Sequence, residues 1–227
     1  MAVVPAGGLG RRMGAALPKQ FLDLGGKPIL IRTLEKLERC PDVDFVIVVV
    51  PAELVDRARE TIDAYPVRKV VRIVPGGAER QDSVHRGLLV LPAGAELVLV
   101  HDAVRPFVTV RKISESIAAA RECGAAILAV SSRNTMKQVE NGWVVRTLDR
   151  TLVWQVQTPQ VFKTDWILEA YEKAQRDGFR STDDSLLVER MGYRVKVVLG
   201  EETNIKITTK ADLVQAEALV ETEEDRA

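Results

Sequence analysis

The chain has 227 residues, 46% hydrophobic and 28% charged, which suits a globular fold with enough core to need no disulfides. Its 32 basic and 32 acidic side chains cancel, so no overall field favours nucleic acid or an anionic membrane, and we expect neither as a partner. The longest apolar run, 45–52, is far shorter than the roughly 20 residues that span a bilayer. Any anion site must therefore be local.

The N-terminal segment and two cysteines indicate the cellular compartment. No basic segment followed by an apolar stretch opens the chain, so we expect no secretory signal. Cys40 and Cys123 each close a predicted helix, and their spacing does not suit a metal site. We expect two reduced thiols rather than a disulfide, and therefore a cytoplasmic protein.

Strands and helices alternate through the first 130 residues. Continuous apolar runs predict the strands, and apolar residues at helical spacing predict the helices between them. The predicted strands are 2–4, 45–50, 70–74, 97–100 and 125–130, and the predicted helices are 28–39, 53–64, 80–90 and 109–123. This alternation predicts an α/β fold with a mostly parallel, doubly wound, Rossmann-like sheet.

The alternation breaks at a hairpin signal. Asn141-Gly142 joins two short strand patterns, 135–139 and 143–147, whose many polar side chains do not suit a core. We expect a projecting β-arm at about 133–151, within a single domain of 1–227. Because an isolated ribbon is marginal in water, we expect the arm to pack on a second subunit. A hairpin folded onto its own domain is the alternative.

Ordinary elements return after the arm. We expect a strand at 153–156, a helix at 165–176 that Thr164 caps, and a short helix between Thr182 and Met191. A strand at 193–199 and a helix from about 210 complete the chain.

A glycine-rich, cationic loop follows the first predicted strand. It contains four glycines and three cations: Gly7, Gly8, Gly10, Gly14, Arg11, Arg12 and Lys19. The glycines leave backbone N–H groups open to a close ligand and the cations add charge, so the loop suits a polyphosphate. It is not a P-loop, and Met13 breaks the dinucleotide fingerprint. A purely structural turn is the alternative.

Three loops are expected to meet at one edge of the sheet. Ligands of open α/β sheets bind beyond the carboxyl ends of the strands. We therefore expect 6–19, 76–83 and 101–106 to converge, with Arg150 and Lys206 near later strand ends.

The two later loops carry polar side chains that allow more than one interpretation. Residues 76–83 suit a base edge in a small pocket, or they are simply a turn in which Asp82 or Ser83 caps a helix. We expect Asp102, at the tip of a hydrophobic strand, to be an exposed carboxylate beside a divalent metal, with a turn or capping role as the alternative. Arg105 is either an ion-pair partner or a catalyst. For His101 we favour a packed histidine over an acid–base group.

Seven short motifs, in order along nearly the whole chain, resemble those of the sugar-alcohol-phosphate cytidylyltransferases. They are residues 5–13, 18–20, 76–80, 101–106, 158–160, 182–184 and 204–206. The closest resemblance is to the branch that uses 2-C-methyl-D-erythritol 4-phosphate in non-mevalonate isoprenoid biosynthesis. Gly7 stands where that family commonly has alanine and leaves the acceptor branch open, and Val104 and the run 17–30 are reminiscent of the ribitol 5-phosphate branch. Ribitol 5-phosphate therefore stays the alternative acceptor.

The resemblance implies an enzyme that transfers CMP from CTP to a polyol phosphate, with Mg²⁺ or another divalent cation. It also implies a homodimer held by interlocking β-arms. Arg12 and Lys19 match the family's transition-state cations, and Asp102 matches its carboxylate on the metal side. The matching nucleotide-binding residues are Ala6, Gly7, Gly8, Gly10, Gly77, Ala78, Ser83 and Asp102.

The resemblance also assigns residues to the acceptor. The expected acceptor-binding residues are Thr135, Arg150, Lys206, Arg105 and Thr182. Arg150 and Lys206 are further expected to act in catalysis, with Arg150 reaching the site of the neighbouring subunit. Two rival functions stay open, a nicotinamide-dependent dehydrogenase and a non-catalytic nucleotide-binding module.

Overall fold

The computed structural model describes residues 1–8 and 17–224, with side chains up to 222. Arg12 and Gly10, both expected at the site, lie outside the described residues. The strands are β1 (Ala2–Pro5), β2 (Asp23–Leu24), β3 (Lys27–Pro28), β4 (Val46–Val50), β5 (Val70–Pro75), β6 (Leu97–Val100), β7 (Ala125–Ser131), β8 (Lys137–Glu140), β9 (Trp143–Thr147), β10 (Trp154–Lys163) and β11 (Lys196–Leu199). The helices are α1 (Ile29–Arg39), α2 (Val55–Asp63), α3 (Arg80–Leu88), α4 (Val110–Cys123), α5 (Thr164–Arg176), α6 (Asp184–Glu189) and α7 (Lys210–Glu224). None of these described helices combines the length and apolar character needed to cross a membrane.

Seven strands form one sheet, in the order β11-β7-β10-β6-β1-β4-β5. Neighbouring strands pair in parallel except at β10, which is antiparallel to both β6 and β7. Helices pack on both faces of this sheet. The predicted α/β fold with a mostly parallel, doubly wound sheet is therefore confirmed.

Alternate residues of the central strands enter two different cores. Val4 and Val48 pack with α1, α2 and α4 on one face, whereas Val3 and Val49 pack with α3 and α5 on the other. All four side chains are fully buried, and each such burial contributes roughly 1.5–3 kcal/mol. Since both faces are covered, these strands have continuous apolar sequences, which is why they could be predicted.

A third apolar cluster joins α7 to the loop that follows β6. Ile207 and Val220 pack with Leu24, Val104 and Phe107. The backbone N–H of Ile207 also donates to the carbonyl of Val104, at 2.9 Å. These contacts fix the segment that carries Lys206.

Strand β10 differs most from the prediction, since it continues to Lys163 instead of ending at Val156. Its register against β7 shifts between Val156 and Gln160. Pro159 and the neighbouring glutamines hide the strand pattern in the sequence. Hydrogen bonding to β6 on one side and β7 on the other nevertheless extends the strand.

The starts of α5 and β11 also differ from the prediction. Thr164 is the first residue of α5 rather than its cap, and Lys163 takes the cap position without a side-chain hydrogen bond. Strand β11 begins at Lys196 instead of Tyr193. Tyr193 stacks on Trp166, with ring centroids 3.9 Å apart.

Strands β8 and β9 form a hairpin with its own two-stranded sheet. Positive φ angles at Asn141 (50°) and Gly142 (83°) make the tight turn that this dipeptide predicts. Trp143 is 80% and Val144 60% exposed. The hairpin thus presents apolar side chains that its own chain leaves largely uncovered.

An alanine substitution at Gly124 tests how the end of α4 packs against Trp166. Its φ is +91°, and an added Cβ would lie 2.2 Å from the Trp166 ring. Gly94 has a similar φ of +86°, no atom of the described residues lies within 4 Å of such a Cβ, and it is the matched control. We expect Gly94→Ala to cost about 1–2 kcal/mol of folding free energy from φ alone, and Gly124→Ala about 1–3 kcal/mol more from overpacking. Urea unfolding measures both, and equal losses would contradict the clash with Trp166.

Candidate active site

Loops that follow three strands enclose a cavity of about 290 Å³ at the carboxyl edge of the sheet. They are the loops after β1, β5 and β6, so the expected convergence is observed for their described parts. Nine of the residues expected at the site line this cavity: Ala6, Gly7, Gly8, Lys19, Gly77, Ala78, Ser83, Asp102 and Lys206. The roles expected for them remain predictions.

A second cavity of about 470 Å³ adjoins the first. Arg105 and Thr182 line it, and both were expected to contact the acceptor. The two cavities share three lining residues, Arg80, Asp102 and Lys206. These side chains therefore form the wall between the cavities.

Thr135 and Arg150 line neither cavity of their own chain. Both are exposed, and Arg150 Nη1 lies 3.4 Å from the carbonyl of Arg133. One chain alone thus leaves two of the expected acceptor residues outside the site.

The turn between β5 and α3 is held by its own side chains. Ser83 Oγ accepts from the Gly77 N–H at 3.1 Å and donates to the Glu79 carbonyl at 3.0 Å. Glu79 is the N-cap residue of α3, and the Glu79 N–H donates to the Asp82 side chain, which completes a capping box. An added Cβ on Gly77 would lie 2.3 Å from Asp82 Cβ, so glycine is required there. Asp82 therefore helps to cap α3, as one interpretation of the sequence proposed. A role of residues 76–83 in base binding stays a prediction.

The two described ends of the glycine-rich loop are tied to each other. Gln20 donates from Nε2 to the carbonyl of Ala6 at 2.7 Å, and Lys19 donates to the carbonyl of Ile207 at 3.2 Å. A Cβ on Gly8 would lie 2.8 Å from Lys19 Cε, so Gly8 leaves the space that this lysine occupies. Among the described residues, a Cβ on Gly7 would meet only Ser83 Oγ, at an ordinary 3.5 Å. Alanine would therefore fit at Gly7.

Asp102 is buried rather than exposed, which corrects the prediction. Its side chain is 7% exposed because cations surround it: Arg80 Nε lies 3.0 Å from Oδ1, Lys206 Nζ 2.7 Å from Oδ2 and Arg105 Nε 3.7 Å from Oδ2. Burial alone would raise the pKa of Asp102, but the positive charges of Arg80, Lys206 and Arg105 hold it well below its usual range. Asp102 is thus an ionised carboxylate inside a cationic cluster.

Arg80 and Asp184 were not among the expected site residues. Arg80 donates from Nη1 and Nη2 to Oδ1 and Oδ2 of Asp184, at 3.1 and 2.8 Å. The two residues are 104 positions apart, so no local pattern connects them. Both lie within the motifs that carry the family resemblance, at 76–80 and 182–184, and that is the signal that could have found them.

His101 is packed, as favoured from the sequence. It is fully buried, with Nε2 3.1 Å from the carbonyl of Arg105 and Nδ1 2.9 Å from Thr158 Oγ1. A carbonyl can only accept, so Nε2 carries the proton and Nδ1 accepts from Thr158. Thr158 Oγ1 in turn accepts from the Asp102 N–H at 3.1 Å. A neutral His101 therefore holds the turn on which Asp102 and Arg105 sit.

Burial lowers the pKa of His101 from 6.5 to about 4, although the charge of Asp102 opposes this shift. The unfolded chain therefore binds a proton here at a higher pH than the folded chain does. The stability from neutral His101 is fully present above pH 6.5 and is lost as the pH falls toward 4. The loss amounts to about 3 kcal/mol.

Urea unfolding at a series of pH values tests this expectation. Between about pH 7 and pH 4, His101→Gln should lose about 3 kcal/mol less stability than the unchanged chain, because the variant has no imidazole to protonate. The comparison uses pH dependence, so a constant cost of the substitution cancels. Parallel curves for the two proteins would show that His101 is not held neutral.

The described residues contain no group of three or more His, Cys, Asp or Glu side chains that could hold a metal. Asp102 and Glu79 are the carboxylates that line the first cavity. Mg²⁺ is commonly bound through one or two carboxylates together with substrate phosphates. A pair of carboxylates suits a cation that arrives with a polyphosphate, and the metal-binding role expected for Asp102 stays a prediction.

The carboxyl edge of the mostly parallel sheet brings glycine-rich turns, a lysine and a buried aspartate to two adjoining cavities. This fold and site define the chain as a Rossmann-like nucleotidyltransferase. The family model for 2-C-methyl-D-erythritol 4-phosphate cytidylyltransferase (IspD) matches residues 1–222, and the chain belongs to this family. The dehydrogenase interpretation is therefore wrong.

Curated relatives and solved structures agree with this family. The chain is 47% identical to the 2-C-methyl-D-erythritol 4-phosphate cytidylyltransferase of Geobacter metallireducens, over 96% of both chains. It is 46% identical to that of Geobacillus thermodenitrificans, also over 96% of both. A 4-diphosphocytidyl-2C-methyl-D-erythritol synthase structure from Anaerococcus prevotii matches with a TM-score of 0.86 and 34% identity, over 97% of this chain and 95% of that one. The Thermus thermophilus cytidylyltransferase structure has a TM-score of 0.79 and 36% identity, over 97% and 98%.

Proposed function

We propose that the chain transfers CMP from CTP to 2-C-methyl-D-erythritol 4-phosphate in non-mevalonate isoprenoid biosynthesis. The products are 4-diphosphocytidyl-2-C-methyl-D-erythritol and pyrophosphate. The observation that carries the proposal is the family match over residues 1–222. Val104 and the run 17–30 were the sequence signs of a ribitol 5-phosphate acceptor, and Gly7 left the acceptor branch open. An alanine would fit at that position, so Gly7 alone does not favour ribitol.

The reaction is an in-line displacement at phosphorus. A terminal oxygen of the acceptor phosphate forms a bond to the α-phosphorus of CTP, and the bond from that phosphorus to the β-phosphate oxygen breaks. Pyrophosphate leaves with the bonding electrons. The acceptor phosphate is already an anion near neutral pH, so the step needs no general base. A neutral, fully hydrogen-bonded His101 agrees with such a mechanism.

Each cavity takes one substrate in this proposal. CTP occupies the cavity lined by Gly8, Lys19 and the 77–83 turn. The backbone of the glycine-rich loop holds the triphosphate, while Lys19 and Arg12 stabilise negative charge at the α-phosphorus. The acceptor occupies the adjoining cavity lined by Arg105, Thr182 and Lys206.

Asp102 would hold a divalent cation, Mg²⁺ or another, together with the triphosphate. When bound, the cation neutralises phosphate charge and raises the electrophilicity of phosphorus. Catalysis by the chain itself rests on orientation and on the fixed charges of Lys19 and Lys206.

We further propose a homodimer whose arms exchange residues. The hairpin exposes Trp143 and Val144, and Leu152 next to it is 80% exposed. Exposed apolar side chains of this size suit a protein interface. Arg150 lies at the base of the hairpin and outside both cavities of its own chain, so it would serve the neighbouring site.

The exposed free thiol of Cys123 suits a reducing compartment, and we place the enzyme in the cytoplasm.

Pyrophosphate release from CTP and Mg²⁺ tests the activity, with 2-C-methyl-D-erythritol 4-phosphate and ribitol 5-phosphate compared side by side. We expect release with the first acceptor and little with the second. Lys19→Ala should lower turnover about 10²–10³-fold, because it removes a preorganised cation at the reacting phosphorus. Lys173→Ala changes a lysine of α5 that pairs with Asp177 away from both cavities, and it should not change turnover. Release without any acceptor preference, or full activity of Lys19→Ala, would contradict the assignment.

Mixed dimers test the exchange of Arg150. Chains with Lys19→Ala and chains with Arg150→Ala are co-expressed with different tags, and dimers that carry both tags are purified. If Arg150 serves the neighbouring site, each mixed dimer contains one intact site and should have about half of the unchanged activity. If Arg150 serves its own chain, no site is intact. Mixed dimers that are no more active than the parent variants would therefore refute the exchange.

A further inference from the structure

Arg80 connects the wall between the cavities to a buried anchor. Its Nε donates to Asp102 Oδ1 at 3.0 Å, and its two Nη atoms hold both oxygens of Asp184. All three guanidinium nitrogens are therefore used, in a planar fork that matches carboxylate geometry. The Arg80 side chain is 30% exposed, so its remaining surface faces the cavities that it lines.

The anchor itself, Asp184, is buried and tied to two helices. Asp184 is 1% exposed and is the first residue of α6, whose cap Asp183 accepts from the Leu186 N–H. Tyr171 of α5, 2% exposed, donates its hydroxyl to Asp184 Oδ1. Helices α5 and α6 thus fix the position of Asp184, and Asp184 fixes the guanidinium of Arg80.

The other two cations beside Asp102 hold it less firmly. Lys206 contacts Oδ2 at 2.7 Å through a flexible side chain that is 38% exposed. Arg105 Nε lies 3.7 Å from the same oxygen, too far for a hydrogen bond. Oδ1 is held by Arg80, which a second carboxylate fixes in turn. The orientation of the Asp102 carboxylate therefore depends most on Arg80.

We propose that Arg80 is a positioning residue that transmits the geometry of Asp184 and Tyr171 to Asp102. It would fix the orientation of the Asp102 carboxylate and keep the wall between the two cavities in place. The catalytic consequence rests on the proposed function, in which Asp102 serves the nucleotide and its cation. The structural consequence, the orientation of Asp102, does not.

Chemical rescue of Arg80→Ala is the first test. We expect kcat, at saturating CTP and acceptor, to fall about 10- to 100-fold, the usual effect of losing a group that orients a ligand residue. Millimolar guanidinium should recover at least about a tenth of the lost rate by binding between the two carboxylates. Urea has the same shape without the charge and should recover nothing.

Arg180→Ala is the matched control. Arg180 pairs with Glu79 and Asp82 and so joins the start of α3 to the segment before α6, whereas Arg80 joins the start of α3 to α6 itself. It touches neither Asp102 nor Asp184. A loss of packing between these segments would affect both variants, whereas a role in positioning Asp102 affects Arg80→Ala alone. Equal losses of kcat, or no rescue by guanidinium, would overturn the proposal.

A crystal structure of Arg80→Ala separates this proposal from the proposed function. We expect the Asp102 carboxylate to turn toward Lys206 and Arg105, and to return when guanidinium is soaked in. An Asp102 that keeps its orientation without Arg80 would overturn the positioning role, whatever the activity. If the unchanged chain releases no pyrophosphate, the proposed reaction is refuted. The orientation of Asp102 in the Arg80→Ala crystal structure still tests the positioning role of Arg80 in that case.

If Arg80→Ala does not fold, Arg80→Lys tests the same positioning role. It keeps the charge, but one ammonium cannot make three bonds directed at two carboxylates. A reduced kcat with a displaced Asp102 would support the proposal. An unchanged kcat with Asp102 in place would refute it.

Discussion

A carboxylate enclosed by three cations is the constraint on which the site depends. Burying Asp102 without partners would cost several kcal/mol, so its position requires Arg80, Lys206 and Arg105 to be close. These cations come from the start of α3, the segment before α7 and the turn after β6. Satisfying one charge therefore brings three distant parts of the chain to the carboxyl edge of the sheet and separates two cavities there.

The packing around this cluster is arranged to keep it in place. The apolar contacts of Ile207 with Val104 and Leu24 fix the segment that carries Lys206, and Lys19 donates to the carbonyl of Ile207. The described end of the glycine-rich loop, the turn after β6 and helix α7 thus share one set of contacts. Neutral His101 holds the same turn from inside. Such fixed charges and dipoles suit catalysis by orientation and electrostatic stabilisation.

The local pattern of the sequence was enough for most of the fold. Continuous apolar runs marked β1 and β4 because both of their faces are buried, and Asn141-Gly142 marked the hairpin because few dipeptides accept two positive φ angles. The convergence of the loops after β1, β5 and β6 followed from the general geometry of parallel sheets. The resemblance of short motifs then pointed to the family that the whole chain matches.

What the sequence determined by itself was the order of the elements, the glycine-rich loop and the family. Only the tertiary structure decided the antiparallel course of β10, the burial of Asp102 and the link from Arg80 to Asp184. The physical reason is that periodicity and turn preferences report on neighbours along the chain. A strand extended by partners on both sides, or an ion pair between residues 104 positions apart, depends on which elements the topology places side by side.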